Sequence, residues 1–381
     1  MNNHTVRLNV IISNLVIGGA EQLLRDLLLA LDRHRVIPTL LFLKPRQEAG
    51  KIAEELIAAG IPAQFGLLKR RLDPGGIPRI HAALRRNPCD VVLLINHLNC
   101  LFYGVPAARL ARRPVINWHH ETHRSYPMHH LTMTCRRLLH TGIHTVVGVA
   151  AGHKTYIQEV ERLPANTTYI YNGVAHDKIA CPLSPKEARG RLHLDANARV
   201  VAQIAALRPD KAHHIMIRAM AQVVQEIPNA VLLIVGDGPC KETLEALVGT
   251  LQLGDHCRFL GIRRDIGTIL SCADVLGLSS YPQQETLSVA ALEAMFASKP
   301  VISTRVGFMD EIVLQNKTGL LVPHNDPNSL ASALKKLLSD DCLRLKMGQA
   351  GLEHAQRICP MSAMVQQFED LFITTARPGV S

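Results

Sequence analysis

Residues 279–300 read SSYPQQETLSVAALEAMFASKP. A strand-like apolar run, 273–278, precedes them, and a second, 300–304, closes them. The Ala/Leu-rich part between reads as a helix, so the segment is a strand–loop–helix–strand unit. Two glutamates are separated by seven residues, Glu285 in the polar Tyr-Pro-Gln-Gln loop and Glu293 about two turns into the helix. Open α/β sheets bind ligands in the crevice at the carboxyl ends of their strands, where this loop and helix start would lie. The backbone amides of Thr286, Leu287 and Ser288 are expected to be unpaired in the first turn and to point at an anion. A phosphate-bearing ligand fits.

The same alternation extends through the chain. Residues 6–12 form an apolar run of the kind a strand buried on both faces carries. A Gly18-Gly19 loop follows, and Leu23, Leu24, Leu27, Leu28 and Leu31 then recur at helical spacing. Further strand candidates are 36–43, 90–95, 114–118, 144–149 and 168–171. After Asn172-Gly173 the series starts again with 199–205, 230–236, 258–260, 273–278, 300–304 and 319–322. Strands separated by helical segments predict parallel sheets. The reading is two α/β domains, 1–172 and 173–360, with a hinge near 172–185. A last helical segment, 361–381, follows Pro360, and the architecture implies that it packs back on the first domain.

A chain of 381 residues is long enough for two cores. Its 47% hydrophobic and 19% charged residues are globular in balance, and no apolar run approaches a bilayer span. The N-terminus lacks the pattern of a signal peptide. Nine scattered cysteines without a CxxC pair read as reduced thiols, hence a cytoplasmic protein. Residues 1–172 hold 21 Lys+Arg against 11 Asp+Glu, whereas 173–381 hold 21 of each, so the formal +10 belongs to the first half. Its clusters are Lys69-Arg70-Arg71, Arg85-Arg86, Arg109/Arg112/Arg113 and Arg136-Arg137. An anionic partner such as a membrane surface suits that asymmetry, and a solubilising face is the plain alternative. Aromatics, at 4%, are not interleaved with these clusters, which argues against nucleic acid.

These pieces stand in the order found in one large family. The chain resembles the retaining glycosyltransferases of family 4, which share the GT-B fold: two doubly wound Rossmann-like domains facing each other across a cleft. The resemblance rests on Gly18-Gly19-Ala20-Glu21, His119, Tyr171-Asn172-Gly173-Val174 and Arg208-Pro209-Asp210-Lys211. It continues through Val235-Gly236-Asp237-Gly238-Pro239, Phe259-Leu260-Gly261 with Ile262, the Glu285/Glu293 pair, Arg305-Val306-Gly307 with Asp310-Glu311, and Thr318-Gly319-Leu320-Leu321-Val322. It implies that the second domain binds a UDP- or GDP-sugar donor and the first a glycan or lipid-linked acceptor.

The resemblance also implies roles. Glu293 would hold the ribose diol, since a carboxylate accepts two hydrogen bonds. Glu285 would contact the donor sugar, and the Thr286–Ser288 amides the distal phosphate. Lys211 would offset charge on the leaving diphosphate. The family's usual arginine is Ala206 here, with Arg208 as a replacement cation, and the usual second glycine after Gly307 is Phe308. Gly18 and Gly19 would let the backbone approach a phosphate or sugar; an ordinary strand-to-helix turn, which Gly-Gly also serves, is the alternative. Gly236, Gly261 and Ile262 would border the nucleotide.

His119 would lie near the donor sugar's hydroxyls. The neighbouring His120-Glu121-Thr122-His123 spaces its histidines three apart, not the four of a zinc protease helix. His120, His123, His129 and His130 read as surface or pocket-lining residues, and neither metal nor cofactor is expected. The catalytic expectation is therefore His119, Glu285 and Lys211, with front-face transfer in which the leaving phosphate helps deprotonate the acceptor. A sugar-nucleotide 2-epimerase on a similar scaffold and a catalytically silent relative remain as alternatives.

Overall fold

A computed structural model describes residues 5–376 apart from 16–17, 71, 96–97, 123–129 and 283–284. Arg71, His123, His129 and the Gln283-Gln284 dipeptide thus lie outside the described residues. The chain divides into two compact units, one formed by Met1–Gly173 with Met361–Ser381 and the other by Val174–Pro360.

In the first unit the strands are β1 (Val6–Ile12), β2 (Val36–Phe42), β3 (Ala63–Gln64), β4 (Val91–Ile95), β5 (Val115–Trp118), β6 (Thr145–Gly148) and β7 (Asn166–Tyr169). They form one sheet in the order β3-β2-β1-β4-β5-β6-β7, parallel throughout. In the second unit β8 (Arg199–Ile204), β9 (Ala230–Val235), β10 (Cys257–Gly261), β11 (Val275–Leu278), β12 (Val301–Thr304) and β13 (Gly319–Val322) lie in the order β10-β9-β8-β11-β12-β13. This sheet is parallel as well.

Apolar sequence explains these central strands. All of β4, β9, β11 and β12 is buried, as strands covered by helices on both faces must be. Strand order reverses direction beside β1 and again beside β8. Each unit therefore has a topological switch point, between β1 and β4 and between β8 and β11. Ligand crevices of doubly wound sheets open there, at the carboxyl ends of the strands.

The terminal helix Met361–Ala376 belongs to the first unit. Phe368 and Phe372 are fully buried, and the Phe368 ring packs on Trp118 at 4.6 Å between centroids. Glu369 fixes the helix electrostatically, accepting from the Asp32 amide at 2.7 Å and pairing with Arg35 at 2.5 Å. Two hydrophobic phenylalanines four residues apart lie on one face of a helix, which is why this short segment docks.

The two-residue β3 is too short to leave a sequence pattern, and the reading of 168–171 corrects to Asn166–Tyr169. A larger correction concerns the decisive segment. Its helix begins at Val289, not at Thr286, and Glu293 stands one turn into it rather than two. Ser288 explains the shift: its hydroxyl accepts from the Ala291 amide at 3.3 Å, so it caps the helix, and Thr286 and Leu287 precede the first turn.

Candidate functional site

The carboxyl ends of β8 and β11 flank the second unit's switch point. A short 3₁₀ turn, Pro209–Lys211, follows β8 and carries Lys211 to that edge. The next residue, Ala212, takes a left-handed conformation at φ +44°, ψ +41°, which turns the chain into the helix His213–Glu226. From β11 the chain runs through Ser279 and Ser280 toward Glu285. Lys211 Nζ and Glu285 Oε2 meet at 2.7 Å, their side chains only 14% and 11% exposed. Ser280 donates to the same carboxylate oxygen at 2.9 Å.

This loop is held from beneath. Ser279 Oγ donates to the Lys211 and Ala212 carbonyls at 3.1 and 3.0 Å, and Gln203 Nε2 donates to Ser279 Oγ at 3.0 Å. Thr304 at the end of β12 donates to the Ser280 carbonyl at 2.7 Å. Gly307, at φ +54°, lies so close to the Glu285 and Thr286 carbonyls that a Cβ there would collide with them. The following amide, Phe308, donates to the Thr286 carbonyl at 2.9 Å. Glycine at 307 is thus required by both backbone angle and space.

Gly236, at φ +137°, approaches the Ala205 carbonyl so closely that no side chain fits. Its amide donates to the Gly261 carbonyl at 2.9 Å, which ties the ends of β9 and β10 together. Ile262 beyond is 56% exposed. Glu293 is half-buried on the helix Val289–Phe296. Arg208 is turned onto Asp210, donating from Nε and Nη2 at 3.1 and 2.9 Å. One edge of one sheet therefore collects Lys211, Gly236, Gly261, Ile262 and Glu285, with Arg208 and Glu293 on the segments next to it.

Gly18, Gly19 and His119 belong to the first unit. Gly18 caps the helix Gly19–Ala30 in an extended conformation, φ −155° and ψ 167°, which any residue adopts. The backbone does not force a glycine there, and a side chain would meet only the movable Glu21 carboxylate. His119 directly follows β5, with its amide donating to the Val147 carbonyl at 2.8 Å and only 4% of its surface exposed. Its Nε2 lies 2.8 Å from Arg136 Nη2 and 3.2 Å from Glu161 Oε2. Arg136 in turn donates to that oxygen at 3.0 Å.

Arg136 had the look of a surface charge beside Arg137. It is buried, while Arg137 is exposed. Burial pushes His119 below its ordinary pKa, against the pull of Glu161 and with the push of Arg136. Burial opposes the charge on Glu161, yet its polar surroundings, with the Arg136 guanidinium donating to the carboxylate, bring its pKa down to about 2. Burial also lowers His140 to about 4 and holds His153 well below its ordinary value. Among the described residues, no group of three or more His, Cys, Asp or Glu side chains is arranged to hold a metal ion.

Sequence reasoning missed Ser280, Gln203, Arg136 and Glu161. Ser280 had a visible signal, a hydroxyl at the end of an apolar run. Arg136 and Glu161 had none, because they reach His119 from 17 and 42 residues away.

Residues 185–354 match the family described as glycosyl transferases group 1, and 17–178 match glycosyltransferase family 4. The D-inositol 3-phosphate glycosyltransferase of Corynebacterium efficiens is 33% identical over 195 residues, 49% of this chain and 45% of that protein. The chain spans about half the length of the curated relatives it matches. Among solved structures, Anabaena HepE in complex with UDP-glucose superposes with a TM-score of 0.83 at 22% identity, covering 97% of this chain and 99% of that one. WaaG, a glycosyltransferase involved in lipopolysaccharide biosynthesis, gives 0.75 at 15% identity, covering 96% and 99%. At such identities the likeness is one of fold.

Proposed function

We propose, for a chain that belongs among the GT-B glycosyltransferases related to family 4 and group 1, that it moves a hexose-type sugar from a UDP- or GDP-sugar to a glycan or lipid-linked acceptor of the cell envelope. The observation that carries this is the Lys211–Glu285 pair at the switch point of the second sheet. One cation and one carboxylate, both largely shielded from water, can address a diphosphate and a sugar hydroxyl together. HepE, solved with UDP-glucose, and WaaG, involved in lipopolysaccharide biosynthesis, support a nucleotide-sugar donor and an envelope acceptor.

In this reading Glu293 accepts both ribose hydroxyls and Glu285 a hydroxyl of the donor sugar. The bond from the anomeric carbon to the diphosphate breaks while the acceptor oxygen bonds to that carbon on the same face, retaining its configuration. The acceptor's proton passes to the departing phosphate, and Lys211 offsets the charge that develops there.

The acceptor side is read from charge. Leu72 is 81% exposed beside exposed Lys69 and Arg70, and Leu110 and Leu138 are each 64% exposed beside Arg109, Arg112, Arg113 and Arg137. Leucine among arginines suits the interface of an anionic membrane. The enzyme would then work in the cytoplasm, peripheral on the inner face. Among the described residues, no helix is long and apolar enough to cross a membrane.

The test mixes the purified protein with UDP-, GDP- and ADP-sugars and a lipid extract, then identifies the donor consumed and the product's mass. Glu293→Ala and Lys211→Ala are each expected to cut transfer more than about tenfold while the protein stays folded. Wild-type transfer in both would reject the site. Nucleotide released without any acceptor would favour the epimerase instead.

A further inference from the structure

The structure assigns Arg136 as a positioning residue that fixes His119 as a neutral imidazole carrying its proton on Nδ1, ready to donate to a ligand oxygen. The assignment rests on the proposed transferase function and on the family resemblance, which implies that His119 addresses a hydroxyl of the donor sugar.

Arginine has donors only and keeps its proton in proteins. Arg136 Nη2 lies 2.8 Å from His119 Nε2, a distance at which two N–H groups facing each other repel. Nε2 must therefore offer a lone pair. A neutral ring with a bare Nε2 holds its proton on Nδ1. Glu161 is the competitor, since its Oε2, 3.2 Å from Nε2, would draw a proton onto that nitrogen. Arg136 removes the need by donating to both acceptors, 2.8 Å to the imidazole and 3.0 Å to the carboxylate.

The groups around the ring support a neutral state. Arg136 comes from the helix His130–His140, and Glu161 from the helical turn Ile157–Glu161. Their charges cancel locally. His153, from the helix Ala151–Tyr156, stacks on His119 at 5.3 Å between centroids. Its Nδ1 accepts from the Val149 amide at 3.2 Å, which leaves its Nε2–H for the Glu121 carbonyl at 3.3 Å. His140 donates from Nδ1 to the Arg136 carbonyl at 2.7 Å and turns Nε2 toward Asn117 Nδ2 at 3.4 Å. His120, next along the chain, is kept neutral by burial. Among the described residues no group bonds His119 Nδ1, although the side chain is only 5% exposed. That single N–H is what the assembly leaves for a ligand.

The consequence is chemical. A neutral donor pairs with a hydroxyl oxygen without attracting phosphate.

Nitrogen NMR of the full protein labelled with ¹⁵N-histidine tests this, with His119 assigned by comparison with His119→Ala. The expected spectrum at about neutral pH has Nδ1 protonated and Nε2 bare. The double variant Arg136→Leu/Glu161→Leu removes both buried charges together and avoids stranding one. It should release the tautomer, lower kcat about tenfold or more and add a pH-dependent limb to kcat. Arg136→Lys, which keeps a cationic donor, should restore the Nδ1 tautomer and most of kcat. Protonated Nε2 or an imidazolium in the wild-type protein would overturn the proposal, whatever the variants do. If the tautomer is as stated but His119→Ala transfers sugar at the wild-type rate, the positioning role falls with the reading of His119, while the Lys211 and Glu293 variants still judge the donor site separately.

Discussion

Lys211 and Glu285, 74 positions apart in sequence, form an ion pair of 2.7 Å at the carboxyl edge of the second sheet. Both are largely buried, so each is the other's main compensation for lost hydration. An arriving diphosphate must share that lysine. Glu285→Gln keeps the shape and removes the competing charge, so the nucleoside diphosphate should bind more tightly. Calorimetry with UDP and GDP is expected to show a gain of about three- to tenfold, as one charge-assisted hydrogen bond is redirected. Transfer should still fall more than about tenfold, because the sugar contact is lost. Unchanged affinity would mean that the pair does not hold Lys211 back.

Buried histidines set the acid limit of each unit. Burial lowers His140 in the first unit and His213 in the second, both to about 4 from an ordinary value of 6.5. Between those values the unfolded chain binds the proton and the folded one does not, so stability falls as pH drops from about 6.5 toward 4. Glu161 acts lower: its depressed pKa contributes stability above about 4.5 and loses it toward about 2. Thermal scans should show the midpoint dropping by roughly 5 °C or more from pH 7 to 5, and hardly moving from pH 8 to 7. His213→Leu should flatten that dependence in the second unit, because among the described residues neither ring nitrogen of His213 has a partner to lose.

The exposed leucines give the membrane reading a direct measurement. The segments bearing Leu72, Leu110 and Leu138 share one core, into which Leu68, Ala107, Ala108 and Leu139 pack. Sedimentation with vesicles containing anionic lipid should capture the protein and release it at high salt, since each basic side chain contributes about 1 kcal/mol near the surface. Replacing all three leucines by serine should weaken capture about tenfold or more, with stability nearly unchanged at such exposed positions. Equal binding to neutral vesicles would overturn the charge argument.

What the sequence disclosed follows from the range of each interaction. Strand runs and their order were legible because burial on both faces writes itself into consecutive residues, as in β4 and β9. The register of the 285–293 segment was not, because Ser288 resembles its neighbours until its hydroxyl is seen capping Ala291. The partners of His119 were hidden for another reason. Arg136 looks like half of a surface Arg-Arg pair, and only tertiary packing separates a buried arginine from an exposed one.

Ala212 provides a test of loop rigidity. Its φ of +44° lies in the left-handed region, where a Cβ costs about 1 kcal/mol relative to glycine. Ala212→Gly should therefore raise the second unit's melting midpoint by roughly 2–4 °C. The Lys211 carbonyl bonds to Ser279 and Gln203 are expected to hold the turn in place, so transfer should stay within about twofold. A lower midpoint would show that the entropy glycine adds to the unfolded chain outweighs the strain it relieves.

Asn9 is the polar residue that the apolar run of β1 conceals. It lies fully buried in the central strand, between Thr39 of β2 and Val92 of β4, and neither its Oδ1 nor its Nδ2 has a partner among the described residues. An unsatisfied buried amide costs about 1–3 kcal/mol. Valine suits a parallel strand covered on both faces and carries no polar atom. Asn9→Val should therefore stabilise the first unit by roughly 1–2 kcal/mol, read as a rise in the denaturation midpoint at unchanged slope. A destabilised Asn9→Val protein would show that the amide is satisfied in solution, most simply by a buried water. In that case Asn9→Asp should be worse still, because a carboxylate there would carry an uncompensated charge into the sheet.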